Sequence, residues 1–274
     1  MEVLLEITKE ELDDFVRITH KLYGIDFSGY AQESLRRRLL RLMKIRDCDS
    51  FTAFKYVLAN QSLSDEELVN EISVNTTEMF RDVEVFKFLK EEVFHVLETY
   101  PRINIWHAGC STGEEPLSLA ILLKEQKLLA RSIQYCTDIN SEVIDRAKKG
   151  IFDLKDMKEY STNYIKAGGG ESLSDYYVVN YGKVKMNKEL GKNMVFTRHN
   201  LVNGSSFNQM HMIMCRNVFI YLDTEQQNKI LRLFVDSLMP RGYLVLGAKE
   251  SAIFSPVLNE LEVVNGKLKI YRKK

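Results

Sequence analysis

The chain has few cysteines, no excess of either charge and no long apolar run. Its four cysteines are far apart and form no C-x-x-C pair, so neither a disulfide framework nor a metal site is expected. Lys+Arg and Asp+Glu both number 38, so net charge indicates no class of partner. No apolar run could span a bilayer, and the acidic N-terminus, MEVLLEITKEELDDF, lacks a signal-peptide core. These absences predict a cytoplasmic protein with reduced, buried thiols.

Residues 1–70 are predicted to form an all-helical domain. The chain of 274 residues could hold a small domain and a medium one, and its 45% apolar and 28% charged residues are typical of globular proteins. The stretch from Thr8 to Glu11 is typical of a capping box that opens a helix. Further helices are indicated at about 28–44 and 50–59, and Ser64 begins a fourth.

From Ile103 onward, strand-like runs alternate with helical ones, which indicates an α/β fold. The runs cover residues 103–106, 132–138, 193–200, 210–215 and 243–248, and a final pair lies at 261–271. Asn265-Gly266 between the last two runs predicts a hairpin. We therefore expect an open, mostly parallel sheet that ends in an antiparallel hairpin.

Residues 151–192 fit this alternation poorly and are interpreted as an insertion. The glycines at 168–170 predict a flexible hinge or loop, and residues 177–186 predict a small additional hairpin. Neither feature belongs to the main sheet.

The first strand-like run is followed by a glycine-containing loop and a helical stretch, HAGCSTGEEPLSLA at 107–120. This order often binds a nucleotide-like cofactor, but Glu114 and Glu115 would repel a phosphate. Carboxylates instead accept hydrogen bonds from the ribose hydroxyls and the amino group of S-adenosylmethionine. Two interpretations stay open from the loop alone: a phosphate-free cofactor, or acids that only favour the helix N-terminus.

The second strand-like run ends in Asp138, where folds of this kind hydrogen-bond a ribose. The alternative is that Asp138 is only a cap or turn residue. Asn140 or Ser141 is predicted to cap the helix that follows. An acidic glycine loop and a correctly placed acid together favour the cofactor interpretation.

The segment WHAGCSTGEEPLSLA (106–120) resembles the signature of the CheR-type chemotaxis receptor (protein-glutamate) methyltransferases. The resemblance continues in order through NTTEMFRD (75–82), TDINSEVIDRAKKGIF (137–152), HNL (199–201), CRNVFIYLD (215–223) and MPRGYLVLGAKES (239–251), and covers about residues 5–272. It implies an α/β fold: a Rossmann-like S-adenosylmethionine-dependent methyltransferase sheet at 71–274, an all-helical N-terminal domain at 1–70 and a small inserted β-subdomain at about 170–192.

The resemblance also implies O-methylation of glutamate side chains on receptor cytoplasmic helices, with S-adenosylhomocysteine as product. The implied cofactor contacts are Asn75, Thr77, Arg81, Glu115, Asp138, Asn200, Leu201, Asn217 and Val218. The acceptor carboxylate is ionised at pH 7, so the reaction needs alignment and desolvation rather than a general base. Arg81 is the candidate for an electrostatic and orienting role. Tyr221 is a candidate for positioning the acceptor, or is simply a packed aromatic residue.

Three positions depart from the family pattern, and no role is assigned to them. His107 stands where serine is usual, Leu117 where tyrosine is frequent, and Lys249 where a small residue or histidine is common. His199 belongs to no triad and is expected to be structural.

The segment SLRRRLLRLMKIR (34–46) has six basic residues and no acid. Helical spacing places Arg37, Arg41 and Lys44 opposite its leucines. Three uses are open: a solvated face, a docking surface for acid-rich receptor helices, or nucleic-acid binding. The resemblance favours docking, and the lack of interleaved aromatic residues disfavours nucleic acid.

Two further expectations concern partners and alternatives. The connection inside 177–186 is short and contains only Gly182. Relatives that bind a receptor C-terminal tail by strand addition tend to have a longer loop, so we expect a tail-independent enzyme. We also expect no direct membrane insertion. The alternatives are a methyltransferase of this fold that acts on a different signalling protein, and a non-catalytic interaction module that binds S-adenosylmethionine. Intact Arg81, Glu115, Asp138 and Asn217 argue against the module.

Overall fold

The computed structural model describes residues 6–73, 77–202, 204–207 and 209–274. The chain forms two compact units. The first comprises Met1–Val74 and Phe219–Gln227, and the second comprises Asn75–Val218 and Asn228–Lys274. The predicted helical domain at 1–70 did not include the distant segment Phe219–Gln227.

That segment joins the first unit through its main chain. Tyr30 forms an antiparallel bridge with Leu222, and the Ala31 amide donates to the Tyr221 carbonyl at 2.8 Å. The Asp223 amide donates to the Gly29 carbonyl at 2.9 Å. Pairing between segments so distant in the chain leaves no local pattern in the sequence.

Four helices lie wholly within the described part of the first unit: α1 (Lys9–Tyr23), α2 (Gln32–Ile45), α3 (Phe51–Ala59) and α4 (Asp65–Ile72). Thr8 and Ser64 form capping boxes, as their spacing predicts, and Ser50 caps α3. The predicted start of α2 at Ser28 is wrong, because the Asp26 carboxylate accepts from the Ser28 amide at 2.8 Å and holds a turn there. In the core of this unit the Phe15 ring packs against those of Phe27 and Phe54, with centroid distances of 5.9 and 6.4 Å.

The second unit contains all ten strands of the described chain. They are β1 (Ile103–Ala108), β2 (Ser132–Asp138), β3 (Ile151–Asp153), β4 (Tyr177–Asn180), β5 (Lys183–Met186), β6 (Met194–Arg198), β7 (Met210–Cys215), β8 (Leu238–Leu246), β9 (Leu261–Asn265) and β10 (Ile270–Lys273). Seven of them form one sheet in the order β6-β2-β1-β7-β8-β10-β9, in which β10 is antiparallel to β8 and β9. The mostly parallel sheet with a final hairpin is confirmed.

The turn of the final hairpin differs from the two-residue turn that Asn265-Gly266 suggests. Asn265 ends β9, and its side-chain oxygen accepts from the amides of Lys267 and Leu268 at 3.1 and 3.0 Å. This side-chain turn lengthens the connection to four residues before β10 begins at Ile270.

The remaining helices are α5 (Val83–Phe88), α6 (Phe94–Leu97), α7 (Glu114–Glu125), α8 (Ser141–Lys149), α9 (Met157–Lys166) and α10 (Thr224–Ser237). Helix α7 connects β1 to β2, and both strands are parallel, so α7 begins at the carboxyl edge of the sheet. No helix within the described part of the chain has the length and apolar character needed to cross a bilayer. All four cysteines are free and buried, as expected.

The insertion forms a separate antiparallel sheet of three strands, in the order β3-β5-β4. The hairpin predicted at 177–186 is confirmed, and Tyr181 and Gly182 form its two-residue turn with φ of 46° and 72°. Its third strand, β3, lies outside the predicted 170–192 range. Local periodicity misses β3 because it has only three residues.

The glycine segment 168–170 is a loop with a fixed backbone. Gly169 donates to the Tyr164 carbonyl at 2.9 Å, and Gly170 donates to the Glu125 carboxylate at 3.3 Å. The Tyr164 hydroxyl donates to the same carboxylate, and Lys90 pairs with it at 3.0 Å. Of the two predicted possibilities, a hinge or a loop, these contacts favour a loop that is held in place.

Candidate functional site

The glycine loop after β1 is held against the end of β2. The amides of Gly109 and Cys110 both donate to the Thr137 carbonyl, at 2.8 and 2.9 Å. Gly109 and Gly113 have φ of 85° and 95°, which other residues rarely adopt. A Cβ on Gly109 would lie 2.5 Å from a Val218 methyl group, so the loop leaves no space for a side chain there.

Asp138 lies beside this loop and binds its backbone. One carboxylate oxygen accepts from the Ser111 amide at 2.9 Å, and the other accepts from the Asn140 amide at 3.0 Å. Burial raises the pKa of Asp138, although hydrogen bonds from the amides of Asn140, Ser111 and Ile139 oppose the shift. The carboxylate has about four lone-pair sites, so it can still accept from a further donor. Asn140 caps α8 through its side chain, as predicted.

The two acids of the loop have different surroundings. Glu114 is buried and accepts from the Thr112 hydroxyl at 2.6 Å, and burial raises its pKa. Glu115 has a side chain that is 16% exposed, and it contacts His107 at 2.9 Å and Arg216 at 3.1 Å. Burial alone would raise the pKa of Glu115, but the His107 hydrogen bond and the Arg216 charge outweigh it and lower the pKa. Glu115 is therefore the acid that can meet a ligand.

Arg216, which follows β7, links three parts of the site. Its side chain is 2% exposed and donates to Glu115, to the Asp82 carboxylate at 2.7 Å and to the Arg81 carbonyl at 2.6 Å. Arg216 lies within the segment CRNVFIYLD (215–223), from which no role was predicted for it. Its partners lie between 101 and 135 residues away, so only the motif could have indicated it.

Arg81 lies on a sharply bent segment. Its neighbours Phe80 and Asp82 have φ of 56° and 57°, and the Phe80 amide donates to the Ser118 hydroxyl of α7 at 2.9 Å. This anchor and the Arg216 bond attach the Arg81 main chain to the start of α7. The Arg81 side chain is half-buried.

Asn217 and Val218 lie next to the glycine loop. Asn217 has φ of 62°, and its amide donates to Glu250 at 3.0 Å. Glu250 is 3% exposed and also accepts from the Gly247 amide, which ties the loop after β8 to this site. Val218 contacts the loop where Gly109 has no side chain.

Asn200 and Leu201 follow β6, beside the end of β2. The His199 amide donates to the Asp138 carbonyl at 2.9 Å, which fixes the start of this turn. The Asn200 side chain accepts from the Val202 amide at 2.9 Å. The His199 ring packs edge-on against Trp106 at 5.5 Å, which agrees with a structural role.

The remaining predicted residues are Asn75, Thr77, Tyr221 and three basic residues of α2. Thr77 is half-buried, and Asn75 lies outside the described residues. Tyr221 belongs to the first unit, where a short 3-10 turn contains it. The basic residues Arg37, Arg41 and Lys44 belong to α2 of that unit, and all three are exposed.

The ligand that fits the second unit donates hydrogen bonds and has no phosphate. Asp138 and Glu115 both keep lone pairs, at the carboxyl ends of β2 and β1, and both would repel an anion. The ribose hydroxyls and ammonium of S-adenosylmethionine match these acceptors. Among the residues that the structure describes, no cluster of metal-binding side chains occurs.

Two family models match the chain. Residues 75–266 match the model of the CheR methyltransferase, SAM binding domain, and residues 10–73 match the model of the CheR methyltransferase, all-alpha domain. Each of these ranges lies almost entirely in one of the two units.

Full-length relatives agree. The chemotaxis protein methyltransferase of Salmonella typhimurium is 32% identical over 95% of this chain and 92% of its own length. That of Borreliella burgdorferi is 30% identical over 90% of each chain, and a Pseudomonas putida protein named Cher3 is 39% identical over 97% of each. The chain therefore belongs to the CheR family of S-adenosylmethionine-dependent chemotaxis methyltransferases.

Proposed function

We propose that this enzyme transfers the methyl group of S-adenosylmethionine to glutamate side chains on the cytoplasmic helices of chemotaxis receptors. The products are glutamate methyl esters, formed in the cytoplasm during sensory adaptation, and S-adenosylhomocysteine. The family supplies the cofactor and the class of reaction. The observation that supports an acidic acceptor is the basic face of α2.

Three charges of that face have no ion-pair partner among the residues that the structure describes. Arg36 and Arg46 of the same segment pair with Glu33 and Glu67. Arg37, Arg41 and Lys44 are exposed and make no ion pair with any described residue. Like charges at this helical spacing repel one another, so the arrangement costs stability unless an acidic partner offsets it. A methylation helix rich in glutamate is such a partner.

Neutralising this face tests the docking role. We expect Arg37→Gln/Arg41→Gln to raise KM for a receptor cytoplasmic fragment roughly tenfold at low salt, with little change in kcat, since steering charges act mainly on encounter. Lys9→Gln/Lys21→Gln, which also removes two exposed charges but from α1, is the matched control. If the double variant and the control have the same KM, the face is only solvated.

The cofactor is proposed to lie across the glycine loop. Asp138, at the end of β2, accepts from the ribose hydroxyls, as in related α/β sheets. Glu115, on the β1 side of the loop next to Arg216, accepts from the ammonium of the methionine part. Asn75, Thr77, Asn200, Leu201, Asn217 and Val218 remain proposed contacts. When bound, the cofactor supplies a methyl group on a sulfonium.

The protein's task is then alignment. A glutamate acceptor is already ionised, so no side chain has to remove a proton. Arg81 is proposed to orient the acceptor carboxylate by its charge, from a segment held by Arg216. Tyr221 is proposed to position the acceptor. Unchanged kinetics of Tyr221→Phe would remove Tyr221 from this role and leave it as a packed aromatic residue.

The decisive experiment follows the bond that is formed. Labelled methyl is transferred from S-adenosylmethionine to a helical receptor cytoplasmic fragment, which is then treated with mild alkali. Release of labelled methanol identifies a carboxyl ester and supports the proposal. Alkali-stable label would refute glutamate as the acceptor. Absence of label, with S-adenosylhomocysteine binding intact, would indicate a different signalling protein as substrate.

Independence from a receptor tail is also proposed. The β4–β5 turn consists of Tyr181 and Gly182 alone, which agrees with the short loop in the sequence. Calorimetry with a receptor C-terminal peptide should detect no binding. A complex of micromolar affinity would contradict this part of the proposal.

A further inference from the structure

His107 is a fully buried titratable side chain beside the glycine loop. It is 0% exposed, on β1, and neither the reaction nor the cofactor contacts require it. Its Nδ1 lies 2.9 Å from Glu115 Oε1, and its Nε2 lies 2.9 Å from Gln134 Oε1 on β2. A serine, usual at this position in the family, could not span from Gln134 to Glu115.

The chemistry of the two contacts fixes the orientation of the ring. A carboxylate only accepts hydrogen bonds, so Nδ1 must carry the proton that is donated to Glu115. The amide of Gln134 has both a donor and an acceptor, and it can satisfy Nε2 whether or not that nitrogen carries a proton. Gln134 therefore holds the ring, and the ring holds Glu115.

His107 and Arg216 bind different oxygens of the Glu115 carboxylate. His107 donates to Oε1 and Arg216 donates to Oε2, so each oxygen keeps lone pairs directed elsewhere. Arg216 also donates to Asp82 and to the Arg81 carbonyl, and its single hydrogen bond to Glu115 cannot by itself prevent the Glu115 carboxylate from rotating. A glutamate side chain that is free to rotate loses conformational entropy when it binds a ligand.

We propose that His107 is a positioning residue of the cofactor site, which holds the Glu115 carboxylate ready to accept from the ammonium of the methionine part. The proposal rests on the proposed contact between Glu115 and that ammonium. It assigns a function to a side chain that does not touch the cofactor.

Binding of two ligands can distinguish a positioning role of His107 from a general effect of the substitution on protein stability. S-Adenosylhomocysteine has the ammonium, whereas methylthioadenosine has the same adenosine and sulfur but no amino acid part. The variant His107→Leu/Gln134→Leu replaces the two hydrogen-bonded side chains together, so neither polar group stays buried after its partner has been removed. His107→Asn places a side-chain N–H close to the position of Nδ1 and is the conservative variant.

Calorimetric titration of each protein with each ligand tests the proposal. We expect the double variant to bind S-adenosylhomocysteine roughly tenfold more weakly, because one charge-assisted hydrogen bond to Glu115 is lost. Its affinity for methylthioadenosine should stay within about twofold of wild type, and His107→Asn should recover most of the lost affinity.

Two results would refute the role of His107 and leave the proposed cofactor site intact. One is equal S-adenosylhomocysteine affinity in the wild type and the double variant. The other is an equal loss of affinity for both ligands, which would reduce His107 to a role in packing. A wild-type protein that binds no S-adenosylhomocysteine would instead refute the proposed cofactor site, and this inference with it.

Discussion

Replacing Arg216 by lysine keeps the charge but removes the fork that spans three partners. Arg216 donates from Nη1 to Glu115, and from Nη2 to Asp82 and the Arg81 carbonyl. A lysine ammonium has three donors, but they lie on one nitrogen, so it cannot reproduce the two separate nitrogens with which Arg216 reaches Glu115 and Asp82. The substitution therefore tests whether this buried connection organises the site.

The magnitude follows from the burial of each partner. Losing the bond to Glu115, which is 16% exposed, costs about 1.5–3 kcal/mol. Asp82 is 39% exposed, so its share is at most about 1 kcal/mol. We expect Arg216→Lys to lower the free energy of unfolding by about 3 kcal/mol. It should also weaken S-adenosylhomocysteine binding at least roughly tenfold, because Glu115 loses a donor.

Urea unfolding followed by tryptophan fluorescence measures the first effect. Trp106 is the chain's single tryptophan and is fully buried in the second unit, so its emission reports on that unit. Arg232→Lys is the matched control, since Arg232 is 43% exposed and pairs with Glu260 at the surface. The control should change stability by less than about 1 kcal/mol. Equal stability and equal affinity in Arg216→Lys and wild type would refute the reasoning.

Three further predictions concern pH, packing and a helix cap. Affinity for S-adenosylhomocysteine should fall with decreasing pH at values above the ordinary aspartate pKa of 3.8, because burial raises the pKa of Asp138 and the proposed ribose contact requires its carboxylate form. Calorimetry across pH should find this fall missing in Asp138→Asn. Gly169→Ala should lower the free energy of unfolding of the second unit by about 1–3 kcal/mol, because its Cβ would lie 2.2 Å from the buried Tyr164 ring. Gly191→Ala, where a Cβ would meet no atom within 4 Å, should be nearly neutral in the same urea unfolding experiment. Ser64→Ala should cost about 1 kcal/mol in the helical unit, measured by circular dichroism, because the α4 capping box is lost.

Each of these predictions has an outcome that contradicts it. The pH argument fails if the affinity of Asp138→Asn falls with pH as in the wild type. The packing argument fails if Gly169→Ala and Gly191→Ala unfold at the same urea concentration. The capping argument fails if Ser64→Ala leaves the unfolding curve unchanged.

Local rules predicted much of the fold. The helix starts at Thr8 and Ser64 follow from side chains that bond the backbone three residues away. The start of α2 was wrong because the Asp26 turn competes with the helix over the same few residues. The strand β3 was missed because three residues are too few for a periodic pattern.

The sequence by itself determined the alternation of strands and helices that builds the main sheet, the acidic glycine loop and the acid at the end of β2. Hydrogen-bonding capacity, charge and periodicity are properties of neighbouring residues, so these features can be predicted from the order of amino acids. Family resemblance then supplied the cofactor. Residue type alone did not separate the two adjacent acids of the loop, and only the family resemblance indicated Glu115.

Only the tertiary structure decided why Glu115 is the available acid and what holds it. Helix geometry turns Glu114 into the interior and leaves Glu115 facing Arg216, 101 residues away. The register of β1 and β2 pairs His107 with Cys136, and because alternate residues of a strand share a face, Gln134 lies on the same face as His107. Contacts across such distances depend on strand pairing, which no local segment encodes, and so the network around Glu115 became visible only in the folded chain.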